Sequence, residues 1–138
     1  MKKYLVIGNP IKHSLSPNLH NYWIRKNNIE ANYEKKLIVE NDLKKIISEV
    51  REDKINGLNV TVPFKKSIIP LMDQLTPKAI LTKSVNVVFK KGDEIIGDNT
   101  DIAGFELSLK NINYDIKDKK ILVLGAGGVT SSIIISLF

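Results

Sequence analysis

Short apolar runs that end in glycine, asparagine or proline, each followed by a stretch of helical periodicity, constrain this chain more than any other feature. Tyr4–Ile7 stops at Gly8-Asn9-Pro10 and reads as a buried strand entering a loop. Ser16-Pro17 then reads as a helix start, with Ser16 as N-cap and Pro17 at the first helical position. Leu19, Tyr22 and Trp23 follow at helical spacing, and the two aromatics are expected in the core. Tyr33–Val39 is a second strand. Asn41 is placed to cap a helix whose apolar face is Leu43, Ile46, Ile47 and Val50. Ile55–Val62 is a third strand stopped by Pro63, and a short helix runs on to about Met72, limited by Pro70. Val85–Lys90 and Glu94–Ile96 flank a turn at Lys91-Gly92-Asp93. Asp101 opens a helix with Ile102, Phe105, Leu109 and Ile112 on one face, and Lys120–Leu124 is a last buried strand running into Gly125-Ala126-Gly127-Gly128.

Strands alternating with helices predict an α/β fold, three layers built on an open, mostly parallel sheet. The polar connector around 113–119 is the one boundary. It divides a first domain, 1–115, from 116–138, which reads as the first strand and helix of a Rossmann-type dinucleotide-binding domain. The remaining Val129–Phe138 is shorter than a full mononucleotide-binding half and ends in an apolar stretch, so the chain is expected to be a fragment or to have that end covered.

Composition narrows the function classes. With 43% hydrophobic and 26% charged residues in 138, the chain is globular and not disordered. It has no cysteine, which excludes disulfides and thiolate metal sites, and its two histidines argue against a histidine metal centre. No metal is expected. The first apolar run is too short for a signal peptide, no run approaches the ~20 residues of a membrane helix, and a cytoplasmic location with no membrane partner is expected. The net charge of +6 comes from scattered lysines, often paired as in Lys35-Lys36 and Lys44-Lys45. No aromatic stripe accompanies them, so they read as a solvated surface with no nucleic-acid partner. A mild attraction for anionic substrates remains.

Four clusters could carry chemistry. The loop Gly125-x-Gly127-Gly128 follows a strand and opens a helix, a setting that suits a pyrophosphate, although tight turns also use glycine for geometry alone. Its third fingerprint position is Thr130. Asn59-Val60-Thr61-Val62-Pro63-Phe64-Lys65 ends a strand where open sheets bind ligands, so Asn59, Thr61 and Lys65 face a site or merely satisfy loop backbone. Gly97-Asp98-Asn99-Thr100-Asp101 could bind metal, cap a helix or serve catalysis. Ser14 and Ser16 could cap, or donate to a carboxylate. His13 and His20 bracket that last loop and read as surface residues, with His20 placed to orient it.

Together Ser14-x-Ser16-Pro17 with His20-Asn21, the 59–65 block, Val85-Asn86, the 97–101 block and Gly125–Gly128 resemble the shikimate dehydrogenase family in order and spacing, over essentially the whole chain. The resemblance implies NADP-dependent reduction of 3-dehydroshikimate to shikimate in aromatic amino-acid biosynthesis. By it, Ser14 and Ser16 hold the substrate carboxylate, and Asn59, Thr61, Asn86 and Asp101 bind ring hydroxyls. Lys65 and Asp101 form the catalytic pair, and Gly125, Ala126, Gly127 and Gly128 meet the cofactor pyrophosphate. The residue types suit that chemistry. Hydride transfer to a ketone leaves an alkoxide that needs a proton and nearby positive charge, and a free lysine, titrating near ~10.4, arrives protonated. The family commonly reads Gly-Ala-Val-Asn-Thr where this chain has Lys83-Ser84-Val85-Asn86-Val87. Two readings stay open beside this one, a substrate-binding fragment that turns nothing over and a quinate-preferring relative. A homodimer is also left open.

Overall fold

The computed structural model describes residues 1–138. Its centre is one six-stranded sheet in the order β2-β1-β3-β5-β6-β4, formed by β1 (Lys2–Gly8), β2 (Ala31–Leu37), β3 (Gly57–Val60), β4 (Gln74–Leu75), β5 (Val87–Lys91) and β6 (Glu94–Asp98). β1 pairs in parallel with β2 and β3, and β4 with β6, while β5 runs antiparallel to both neighbours. The parallel majority is therefore narrow. The turn at Gly92, where φ is +61°, folds β5 and β6 into a hairpin.

The helices are α1 (Ser16–Lys26), α2 (Leu43–Arg51), α3 (Pro77–Thr82), α4 (Asp101–Asn111) and α5 (Thr130–Ser136). Alternation along the strands assigns the two faces. Leu5 and Ile7 of β1 and Leu58 and Val60 of β3 bury against Leu43, Ile46, Ile47 and Val50 of α2, with Phe64 and Ile68 in the same cluster. Those four α2 side chains contribute ~1.5–3 kcal/mol each by burial. Val6, Tyr33 and Ile11 point to the other face, where Tyr4 of β1 and Ile24 of α1 pack against them. That second layer is thin. α1 buries no residue fully, and beyond its edge a cavity of about 300 Å3 opens over β3 and β5.

Several sequence expectations need correction. Tyr22 and Trp23 are not core residues. They are 52% and 47% exposed, because α1 turns a different stripe to the sheet. Ser16 is the first helical residue and caps nothing. Its own N–H is accepted by Ser14 Oγ at 3.3 Å. Asn41 lies within a 3-10 turn, Glu40–Asp42, and Asp42 Oδ2 accepts the Val39 N–H instead. The helix expected after Pro63 is a series of turns ending in a 3-10 turn at Ile69–Leu71. Lys120–Leu124 forms no strand. It has no ladder partner, and Leu122 and Leu124 are 81% and 86% exposed. No helix is long and apolar enough to cross a membrane.

Candidate active site

The site forms where β1 and β3 end side by side. Thr61 N–H donates to Ile7 O at 3.0 Å and Asn9 N–H to Val62 O at 2.9 Å, tying the loops beyond the two strands together. Gly8 permits the approach, since a Cβ there would lie 2.5 Å from Thr61 Cγ2. The result is a cleft of about 270 Å3 lined by His13, Ser14, Ser16 and Thr61 over Val6 and Ile11. The Ser16 hydroxyl makes no hydrogen bond inside the chain, whereas Ser14 Oγ accepts the Ser16 N–H at 3.3 Å.

Lys65 follows in the turn that Phe64 anchors in the core. Only 9% of Lys65 is exposed, and a buried ammonium needs a partner. Lys65 Nζ donates to Asp101 Oδ2 at 2.7 Å. The other carboxylate oxygen, Oδ1, accepts from Asn86 Nδ2 at 2.8 Å, and Asn86 Oδ1 in turn accepts the Thr100 N–H at 2.9 Å. Asp101 begins α4, where a carboxylate is favoured by the helix dipole, and its N–H is held by Asn99 Oδ1 at 3.0 Å. Asp101 is thus the first helical residue and not the cap expected of it; Thr100 stands at the N-cap without a side-chain cap bond. Asn59, two residues before Thr61, directs Nδ2 towards Asn86 O at 3.4 Å and accepts from the Tyr33 hydroxyl at 2.6 Å. Asn59, Lys65, Asn86 and Asp101 thus form one hydrogen-bonded chain, and Ser14, Ser16 and Thr61 line the adjoining cleft.

The glycine loop lies against this pair. Gly125 sits at φ +122° with open space around it, as does Gly127, so the backbone there is free to approach a ligand. Thr130 Oγ1 donates back to Gly125 O at 3.3 Å, which gives the unusual third fingerprint residue a place. Gly128 faces inward, and a Cβ on it would meet Lys65 Cδ at 3.4 Å. Ser84, fully buried, donates to Gly128 O at 2.9 Å. Asn99 Nδ2 donates to Ser84 O at 3.0 Å and to Ser132 Oγ of α5 at 3.1 Å. The Lys83-Ser84 departure is resolved in the same segment. Lys83 ends α3 in the left-handed region, φ 49° and ψ 42°, where glycine is favoured.

Residues missed from the sequence are Tyr33, Ser84 and Ser132. Asn99 lay within a motif that drew attention to its acids. No spacing signal marks Tyr33 or Ser132, whose partners are distant in sequence.

Residues 6–88 match the family model of the shikimate dehydrogenase substrate binding domain. A shikimate dehydrogenase (NADP(+)) of Pelagibacter ubique is 58% identical over 136 residues, 99% of this chain and 51% of that protein. Among solved structures, shikimate dehydrogenase from Aquifex aeolicus superposes with a TM-score of 0.93 at 43% identity, covering 99% of this chain and 52% of that one. The Thermus thermophilus enzyme in complex with NADP(H) and shikimate gives a TM-score of 0.92 at 33% identity, with the same coverage of 99% and 52%. The chain spans about half the length of the curated relatives it matches. With the family model matching residues 6–88, more than half of its length, the chain belongs to the shikimate dehydrogenase family.

Proposed function

We propose that this chain carries the substrate site of an NADP-dependent shikimate dehydrogenase, with residues 1–115 as the substrate domain and 116–138 as the beginning of the dinucleotide-binding domain. The observation that carries the reading is the Lys65–Asp101 pair, 2.7 Å apart and largely buried, beside a cleft lined by two serines and a threonine. Ser14 and Ser16 donate to the substrate carboxylate. Thr61, Asn59, Asn86 and Asp101 hold the ring hydroxyls.

The open backbone of Gly125–Gly127 fits a pyrophosphate, whereas Gly128 supports the lysine stem. The Gly125–Gly127 backbone would hold a reduced nicotinamide dinucleotide, which would supply the hydride for the ketone carbon. Lys65 Nζ then gives a proton to the oxygen that gains charge, and Asp101 Oδ2 holds that ammonium in place by their hydrogen bond. In the oxidising direction Lys65 takes the proton back. Burial among protein groups strengthens these interactions relative to water.

The first test is an NMR titration of this chain with shikimate. Saturable shifts at Ser14, Ser16, Thr61, Lys65 and Asp101 are expected, and a dispersed spectrum without shifts counts against a substrate site in this half. In the longer protein, Lys65→Ala is expected to lower kcat by at least ~100-fold, the usual range for a general acid, with a small change in KM. Near-normal kcat removes Lys65 from the mechanism.

A further inference from the structure

We propose that Tyr33 is a positioning residue for the substrate site, its hydroxyl fixing which edge of the Asn59 carboxamide faces the substrate. The inference rests on the reading of Asn59 as a substrate ligand. An asparagine amide has two nearly isosteric ends, an acceptor oxygen and a donor nitrogen, and only its hydrogen bonds decide which end points where. At Asn59 the Asn86 carbonyl, which can only accept, selects the Nδ2 end, and the short bond that holds the amide there comes from the Tyr33 hydroxyl, which donates to Oδ1 at 2.6 Å. Nδ2 is thereby turned to the other side, towards Asn86 O, where the contact is long at 3.4 Å. Its second proton is left to serve an acceptor oxygen in the site. The reversed amide would set two carbonyl oxygens against each other.

Tyr33 reaches Asn59 over an intervening strand. It pairs with Tyr4 of β1, and Asn59 pairs with Val6 of the same strand, so the two side chains and the bond between them together span two strand spacings of ~4.8 Å each. Such a span needs a rigid tyrosine, and the structure holds it at three points. Asn21 of α1 grips its backbone at both groups, with Nδ2 to Tyr33 O at 2.8 Å and the Tyr33 N–H to Oδ1 at 3.0 Å. His20 stacks on the phenol ring at 4.1 Å with the planes 4° apart. The ring is also buried, with Tyr33 only 4% exposed. Burial pushes the phenol well above its ordinary range, so the hydroxyl remains a neutral donor. His20 and Asn21 thereby gain a role, since neither touches the cleft polar groups directly. α1 begins at Ser16, two residues after Ser14, and carries, one turn on, the two residues that fix Tyr33. One helix sets the carboxylate end and, through Tyr33, the hydroxyl end.

The test compares Tyr33→Phe with the wild-type chain, keeping ring and stack and removing one oxygen. In the unliganded wild type, the Asn59 side-chain amide protons should show cross-peaks on the Asn86 side and none to the Tyr33 ring. In Tyr33→Phe, cross-peaks to the ring should appear as the amide samples both orientations, and the Kd for shikimate should rise about tenfold, the effect of one lost hydrogen bond at the upper end of its range. In the Asn59→Ala background, Tyr33→Phe should change Kd by less than about twofold, because a residue acting through Asn59 has nothing left to position. An equal loss in both backgrounds overturns the proposal in favour of a purely structural tyrosine. If the wild-type chain shows no saturable binding, the substrate reading fails separately, and Asn59 amide cross-peaks unchanged by Tyr33→Phe overturn the positioning role on their own.

Discussion

Asn99→Ala should destabilise the fold by about 3 kcal/mol, mostly through groups it orphans. Asn99 is fully buried and engages three neighbours: Ser84 O, the Ser132 hydroxyl and the Asp101 N–H. Ser84 O keeps the Thr82 hydroxyl at 3.2 Å, so its loss is small. The Ser132 hydroxyl, fully buried, keeps no side-chain or backbone partner and contributes ~1–3 kcal/mol of unmet desolvation. The Asp101 N–H loses its only acceptor at the start of α4, which adds ~1 kcal/mol, the low end for an unmet backbone donor. Urea unfolding followed by Trp23 fluorescence and far-ultraviolet circular dichroism measures the sum. With a slope of ~2 kcal/mol/M, the midpoint should fall by roughly 1.5 M. The double variant Asn99→Ala/Ser132→Ala removes the orphaned hydroxyl and should recover part of that loss. A loss below ~1 kcal/mol in the single variant, or no recovery in the double, would refute the view that Asn99 is the joint between α4 and α5.

Two further changes test other parts of the fold. Lys83→Gly relieves a left-handed, exposed residue at the end of α3 and should stabilise by ~1 kcal/mol, read as a higher urea midpoint; a lower midpoint would contradict the backbone argument. The Asp73 carboxylate is held below the ordinary aspartate range by its hydrogen bond to Arg51, then by the Ile95 N–H. Its contribution to stability is complete above the unfolded value of ~3.9 and is lost as pH falls through the lower folded value. The midpoint difference between wild type and Asp73→Asn should therefore be flat near neutrality and shrink below about pH 4. A difference that widened in acid would reverse the assignment.

The layers were legible because alternation and helical periodicity are local. Leu5 and Ile7 against Val6, and Leu43, Ile46, Ile47 and Val50 along α2, announce the faces they bury. What escaped depends on tertiary partners. β4 is two residues long, too short for any pattern, and exists because β6 offers it an edge. α3 carried a readable start, Thr76-Pro77, with Thr76 Oγ1 accepting the Ala79 N–H, yet its six residues gave little periodicity. Lys120–Leu124 reads as a strand by composition but lacks a neighbour, and a ladder needs two sides. Trp23 sits at core spacing on a helix that buries nothing fully. In the site, Ser14, Ser16, Asn59, Thr61, Lys65, Asn86 and Asp101 were reachable through motifs, whereas the bond between Lys65 and Asp101 crosses 36 positions and follows from no spacing rule. Tyr33 showed only that its strand is buried on one face.

Every pairing in the sheet lies between Lys2 and Asp98. During synthesis, at ~5–20 residues per second from the N-terminus, the whole sheet can close while the glycine loop is still on the ribosome. At that stage the Lys65 stem is uncovered on one side and Asn99 lacks its Ser132 partner. The chain's birth order is then its assembly order: the sheet first, and the lysine sealed when Gly128 arrives.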